Sequence, residues 1–197
     1  MKRIIVFLVT AVIICVAFAS CGEDDPYSNI GDMLEADHKK VELTVTVNAM
    51  EGELTSKYTL VNNGSNKKMT YTYEKLNTFD KVNGSYVIPE SYKSTYSGSV
   101  TVENGRIVEQ NGAQTDIDIE SVASPKFEFN EDCFSSALIK EGYFEADISD
   151  PNTFLGVEGV YNSTKVVIKH DSEKINEMTV SYVSGSGANV TLKFLFE

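Results

Sequence analysis

Tryptophan is absent from this 197-residue chain, and with it the commonest platform for stacking against a sugar ring. Basic residues are scarce: 17 Lys and Arg face 29 Asp and Glu, for a formal net charge of −12. That balance repels phosphate backbones and anionic lipid surfaces, which argues against a nucleic-acid partner and against a bilayer contact made by charge. Histidine occurs only at His38 and His170, and neither belongs to a pattern such as His-x-x-x-His, so no zinc site is expected. The same scarcity leaves little from which to build a Ser-His-Asp triad, and the sequence holds no Gly-x-Ser-x-Gly elbow. The longest apolar run, Ile4 to Ala19, is 16 residues, short of the roughly 20 that a membrane-spanning helix needs. Cysteine occurs three times, at Cys15, Cys21 and Cys133.

That apolar run follows Met1, Lys2 and Arg3 and ends at the small residue Ser20. A basic start, an apolar middle and a small residue at the end form the layout of an export signal. A retained span is the bland alternative, but the run is short and the next residues are Gly22-Glu23-Asp24-Asp25. The order Phe18-Ala19-Ser20-Cys21 resembles the lipobox of bacterial lipoproteins. The resemblance implies a signal peptide over 1–20, cleavage between Ser20 and Cys21, and lipid on Cys21. It also implies a mature chain anchored to a membrane of the cell envelope on the extracytoplasmic side. Cleavage leaves 177 residues and, by removing Lys2 and Arg3, takes the formal charge from −12 to −14. That length suits one domain with its own core. Cys133 alone then remains, so no intramolecular disulfide is available. Attachment rests on the acyl chains, at about 0.8 kcal/mol for each buried methylene.

Residues 21–39 are acidic and poor in apolar side chains, and read as a flexible tether, with a short helix at Ile30–Glu35 as the alternative within it. From Lys40 onward the pattern has period two, and 40–197 reads as a single β-rich domain. Val41, Leu43, Val45, Val47 and Ala49 alternate with polar residues. A second strand runs from Leu54 to Val61, the turn Asn62-Asn63-Gly64-Ser65 follows, and a third strand runs from Lys68 to Lys75. Asn104-Gly105 joins two further strands, and Gln114 to Val122 alternates Ile117 and Ile119 with Asp116, Asp118 and Glu120. Asn130 to Gly142 carries a helical pattern: Asn130 suits the N-cap, Glu131 and Asp132 the first turn, and Phe134 and Leu138 share a face four residues apart. Strands return at Tyr143–Ile148, Lys165–His170, Ile175–Tyr182 and Asn189–Phe196, the last placing Val190, Leu192, Phe194 and Phe196 on one face.

The expected class is therefore mostly β, an α+β arrangement built on an antiparallel sheet. The order of meander, helix-bearing insertion and late hairpins resembles the Lol-type lipoprotein carriers and the LppX/LprG lipid-binding lipoproteins. The likeness is carried by Lys174–Tyr182 and, after the turn Ser184-Gly185-Ser186-Gly187, by Ala188–Phe194. It covers residues 40 to 197 as a pattern, without a matched signature residue. The resemblance implies a curved sheet or incomplete barrel, helices on its concave face, and an apolar cavity for acyl chains.

Candidate chemistry is sparse. Cys133 stands where a helix start would favour a thiolate, but Glu131 and Asp132 oppose ionisation and Phe134 points to an apolar setting, so a small buried residue is the simpler reading. The period-two acids Asp116, Asp118 and Glu120 read as a solvated strand face, with calcium as the functional alternative, although the EF-hand order is absent. Tyrosine is abundant, with 10 residues; Tyr58, Tyr71 and Tyr73 on neighbouring strands are ordinary strand formers or the wall of a pocket. Val45, Val47, Tyr58, Tyr71, Tyr73, Phe134 and Leu138 are the candidate ligand-contacting residues. No catalytic residue, metal ligand or cofactor is assigned. The reading is a lipid-anchored, extracytoplasmic, non-enzymatic binding protein that carries or senses lipid or another hydrophobic ligand, with the membrane as partner through Cys21. The alternative is a non-enzymatic protein-interaction or envelope-assembly lipoprotein with a fully packed core. A cavity of roughly 300 Å³ or more separates the two.

Overall fold

The computed structural model describes residues 26–50, 52–77, 80–82, 85–87, 91–123, 125, 127, 129, 131–155 and 160–197. The signal segment, Ser20, Cys21, the start of the tether, Asn83-Gly84 (a turn signal in the sequence), Pro89 (a strand breaker by its chemistry) and Asn130, expected as an N-cap, lie outside the described residues. The described chain is dominated by β structure. Its strands are β1 (Lys40–Ala49), β2 (Gly52–Asn63), β3 (Asn66–Leu76), β4 (Asp80–Val82), β5 (Ser85–Val87), β6 (Lys93–Glu103), β7 (Arg106–Gly112), β8 (Phe134–Lys140), β9 (Tyr143–Ile148), β10 (Val160–His170), β11 (Ile175–Ser184) and β12 (Asn189–Phe196). Three helices accompany them: α1 (Pro26–Glu35), α2 (Ile119–Ala123) and α3 (Pro151–Leu155).

Ten strands form one open antiparallel sheet in the order β7-β6-β3-β2-β1-β12-β11-β10-β9-β8, and β4 with β5 makes a separate hairpin. Each half is a meander, and the halves meet where the first long strand pairs with the last, Val41 opposite Phe196 and Val45 opposite Leu192. Register places one row of side chains across all ten strands: Gly112, Gly98, Tyr71, Tyr58, Leu43, Phe194, Met178, Ile168, Phe144 and Ile139. Because successive residues of a strand point to opposite sides, this row and its parallels give the sheet one apolar face. The other face is polar, with Glu177 bridging Lys169 and Lys193 at 2.8 and 2.9 Å. The hairpin between β6 and β7 turns on Asn104 and Gly105, whose φ values of 49° and 74° match the twist of the flanking strands.

Since β7 and β8 are opposite edges, the chain between them must cross the whole sheet. Ten strands at about 4.8 Å spacing are about 43 Å wide when flat. The described residues 113–123, 125, 127, 129 and 131–133 belong to this strap. The hydroxyls of Tyr71 and Tyr73, both on the apolar face of β3, donate to the carbonyls of Ala113 and Gln114 at 2.7 Å each. Helix α2 then rests on β1 and β2, Phe127 packs edge-on against Phe194 of β12, and Phe129 meets Phe144 of β9 and Phe134 of β8. Ile30 and Leu34 of α1, Ile119 and Val122 of α2 and Phe154 of α3 belong to the same buried cluster as the apolar strand residues.

Three expectations are corrected. Residues 26–35 are not flexible tether: they form α1, with Ile30 and Leu34 buried and Tyr27 stacked on Phe134. Residues 134–140 are strand β8 rather than the body of a helix, preceded by a 3-10 turn at Glu131–Cys133. Pairing with β9 outweighs the i,i+4 spacing, and an extra residue between the pairs Phe134–Ile148 and Ser136–Asp147 forms a bulge. The bulge turns Phe134 inward and Leu138, opposite Glu145, outward. Residues 114–118 are irregular chain of the strap, bent at 116 and 117, not a strand, and 119–123 are α2; the alternation of Ile117 and Ile119 with exposed acids is nevertheless present.

Candidate ligand cleft

Where the strap crosses the middle of the sheet, it does not lie flat. An open cleft of about 1040 Å³ remains beneath it. Its floor is the junction of the two meanders: Leu43 and Val45 from β1, Leu192 and Phe194 from β12, and Tyr182 from β11. Its roof and walls are Ile117, Val122, Pro125 and Phe127 of the strap together with Leu155 of α3. Period two puts Leu43 and Val45 on one side of β1 and Leu192 and Phe194 on the matching side of β12, so pairing of the chain's first and last long strands builds the floor. Tyr182 is partly withdrawn from water, and that burial raises its phenol pKa.

The mouth is acidic. Asp116, Asp118 and Glu120 line it with exposed carboxylates, next to Ser121. Glu120 pairs with Lys67 of β3. A smaller cavity of about 220 Å³ adjoins the cleft, sharing Asp116 and Ile117 and bounded by Ser56, Tyr58, Tyr73, Glu74, Lys75, Gln114 and Thr115. Here Lys93 at 2.8 Å and the Thr55 N–H at 2.8 Å hold the Glu74 carboxyl below the usual carboxylate range. Lys75 lies 5.2 Å from the centre of the Tyr73 ring. Among the described residues, the buried side-chain polar atom without a hydrogen-bond partner is the Thr164 hydroxyl. It precedes Lys165, whose partner on β11 is Ser181, the residue before Tyr182 of the cleft.

The residues singled out from the sequence fall in several places. Val45 lines the cleft, and Val47 lies two positions further along the same face, opposite Val190. Tyr58 and Tyr73 border the smaller cavity; Tyr71 is buried between them as a clip for the strap. Phe134 is outside the cleft lining, in an aromatic cluster with Tyr27, Phe129, Phe144 and Phe154 that meets the cleft where Phe154 stacks on Phe127. Leu138 is 45% exposed on the outer side of edge strand β8. Leu43, Tyr182, Leu192 and Phe194 were missed as cleft residues, although the shared face of β12 was a usable signal. The strap residues Pro125 and Phe127 carried no such signal.

Elsewhere the chemistry is ordinary. Cys133 is buried, and His170, half-buried, ends β10 with Nδ1 donating to the Asp171 carbonyl at 2.8 Å. Ser184–Gly187 is the turn between β11 and β12. Among the described residues no three His, Cys, Asp or Glu side chains converge to hold a metal ion, and no helix is long and apolar enough to cross a membrane.

Comparison with known proteins adds little to this geometry. No family model matches the chain, and no curated protein matches it. Among solved structures it is similar to an acyl-ACP thioesterase from Bacteroides thetaiotaomicron at 12% identity, covering 97% of this chain and 88% of that one with a TM-score of 0.17, too low to carry an argument about fold or activity.

Proposed function

We propose that this chain is a lipid-anchored, extracytoplasmic binding protein that holds a hydrophobic ligand between its sheet and the strap, without catalysis. The observation that carries the reading is the cleft, about 1040 Å³ in volume and lined largely by Leu43, Val45, Leu192, Phe194, Val122, Phe127 and Leu155. That volume lies just above the roughly 300–1,000 Å³ found for small-molecule sites, as suits an open cleft. In this reading the sheet curves around the strap as an incomplete barrel, with the helices on its concave side. Lipid on Cys21 holds the domain close to the bilayer: four residues lie between Cys21 and Pro26, so the five steps from one to the other reach about 17 Å when extended.

Two measurements test this reading. Cys21→Ser is expected to move the folded protein from the membrane fraction to the soluble fraction; a variant that stays with the membrane removes the lipid anchor. Extraction of the purified protein followed by mass spectrometry is expected to yield a co-purifying apolar compound, and a fluorescent fatty-chain probe is expected to bind and to be excluded by Leu192→Trp. Neither lipid nor probe binding would sink the cleft as a ligand site. A second reading, a protein-interaction module, is favoured by the unpaired edges β7 and β8, where Ile107, Val108 and Leu138 are exposed. Pull-down from solubilised membranes with and without Ile107→Lys decides it.

A further inference from the structure

We propose, resting on the reading of the cleft as a ligand site, that its occupant is an amphiphile with a positively charged head, an alkyl ammonium rather than a fatty-acid or phosphate anion. The floor of Leu43, Val45, Leu192 and Phe194 supplies a dry surface for a chain, and the polar end of such a ligand must sit at the mouth. There it meets Asp116, Asp118 and Glu120. Glu120 is neutralised by Lys67, whereas Asp116 and Asp118 have no ion-pair partner among the described residues. No lysine or arginine is among the described residues that line the cleft. Of the nearby cations, Lys93 is bound to Glu74, and Lys75 lies over the Tyr73 ring and lines the smaller cavity with Asp116, outside the cleft itself.

The charge arithmetic points one way. An anionic head would bring a third negative charge to two carboxylates, within a chain of formal charge −12, and would do so at a boundary where the effective dielectric is lower than in bulk water. An ammonium head replaces that repulsion with two attractions. Exposed charges each contribute modestly, so two of them give about a tenfold preference at low salt. The preference shrinks as the screening length falls from about 10 Å at 0.1 M salt to about 3 Å at 1 M.

The test uses the full chain in vesicles of phosphatidylcholine, which carry no net charge and favour neither probe. Photoreactive probes with the same sixteen-carbon chain carry a trimethylammonium, a sulfate or an uncharged head, and adducts are mapped by mass spectrometry. The expected result is that the ammonium probe labels the β1 and β12 peptides at about tenfold lower concentration than the sulfate probe. That difference disappears in 1 M salt and in the double variant Asp116→Asn, Asp118→Asn, while the uncharged probe labels wild type and variant alike and so reports an intact cleft. Equal or preferred labelling by the sulfate probe overturns the charge assignment and leaves the cleft as an apolar site. Absence of labelling on these strands by all three probes removes the ligand site itself, and the assignment falls with it.

Discussion

The hydroxyl of Tyr71 donates to the carbonyl of Ala113 at 2.7 Å, which ties the third strand to the first residue of the strap that crosses the sheet. Tyr73 repeats the contact one residue on, to Gln114. Together the two bonds turn the chain off edge strand β7 and onto the apolar face, so the roof of the cleft starts from a defined place. Tyr71→Phe removes one of these bonds with little change of shape. It is expected to cost about 1–2 kcal/mol, because a partly buried carbonyl loses its donor, and urea denaturation measures it.

Gly98 makes the same crossing possible sterically. A Cβ there would stand 2.5 Å from the Ala113 carbonyl oxygen and 2.7 Å from the Tyr71 hydroxyl. Gly112, opposite it on β7, has a φ of +75° and no room for a Cβ beside Ser97. Gly98→Ala is expected to destabilise by about 1–3 kcal/mol through overpacking, and to loosen the strap, seen as faster hydrogen exchange at residues 113–118. Exchange unchanged from wild type would show that the contact does not hold the strap.

Leu34 discriminates a packed helix from a tether. It is 2% exposed and lies in the same cluster as the strand residues. Leu34→Ala is expected to cost about 2–5 kcal/mol, the range for truncating a buried leucine. A change below 0.5 kcal/mol in chemical denaturation would return residues 26–35 to the tether.

Thr164 offers a gain in stability. Its buried hydroxyl has no partner, and leaving such a group unmade costs about 1–3 kcal/mol. Thr164→Val keeps the branched shape and removes the polar atom, so the melting temperature is expected to rise. A fall would mean that the hydroxyl is satisfied in solution.

His38 predicts a pH dependence with a definite sign. Burial, the largest influence, lowers its pKa below 6.5, against the smaller opposing effects of the Leu34 carbonyl and Asp37. The ring also packs 4.4 Å from that of Phe196. The unfolded chain therefore binds the proton more readily than the folded one. The stabilising contribution is fully present above the unfolded pKa of 6.5 and is lost as pH falls from there toward the lower folded value. Denaturation midpoints measured from pH 8 to pH 5 should show this loss in wild type, and a His38→Gln variant should show a shallower decline.

Most strands were legible because alternation is a local property. Val41 to Val47, Met69 to Tyr73 and Val190 to Phe196 each declare which side faces the core, and pairing preserves those sides. Local signals failed where two periods fit the same residues. Phe134 and Leu138 satisfy a helical spacing, yet the available edge of β9 drew the segment into β8, and a bulge placed the two on opposite faces. The acids at 116, 118 and 120 alternate as a strand would, but the segment crosses above the sheet and has no strand beside it to pair with; the side-chain alternation stayed and the ladder did not form. Ile30 and Leu34 were hidden among acidic and small residues, too few to announce a buried face without the sheet they cover.

What the sequence by itself determined is the β character, the sidedness of most strands, the hairpin at Asn104-Gly105 and the negative charge, since each depends on near neighbours or on composition. What only the tertiary structure decided is the pairing of β1 with β12, the strap from one edge to the other and the cleft between them. These join residues as distant as Val45 and Leu192, and such contacts form only when a long loop has closed and a matching face stands ready to receive it.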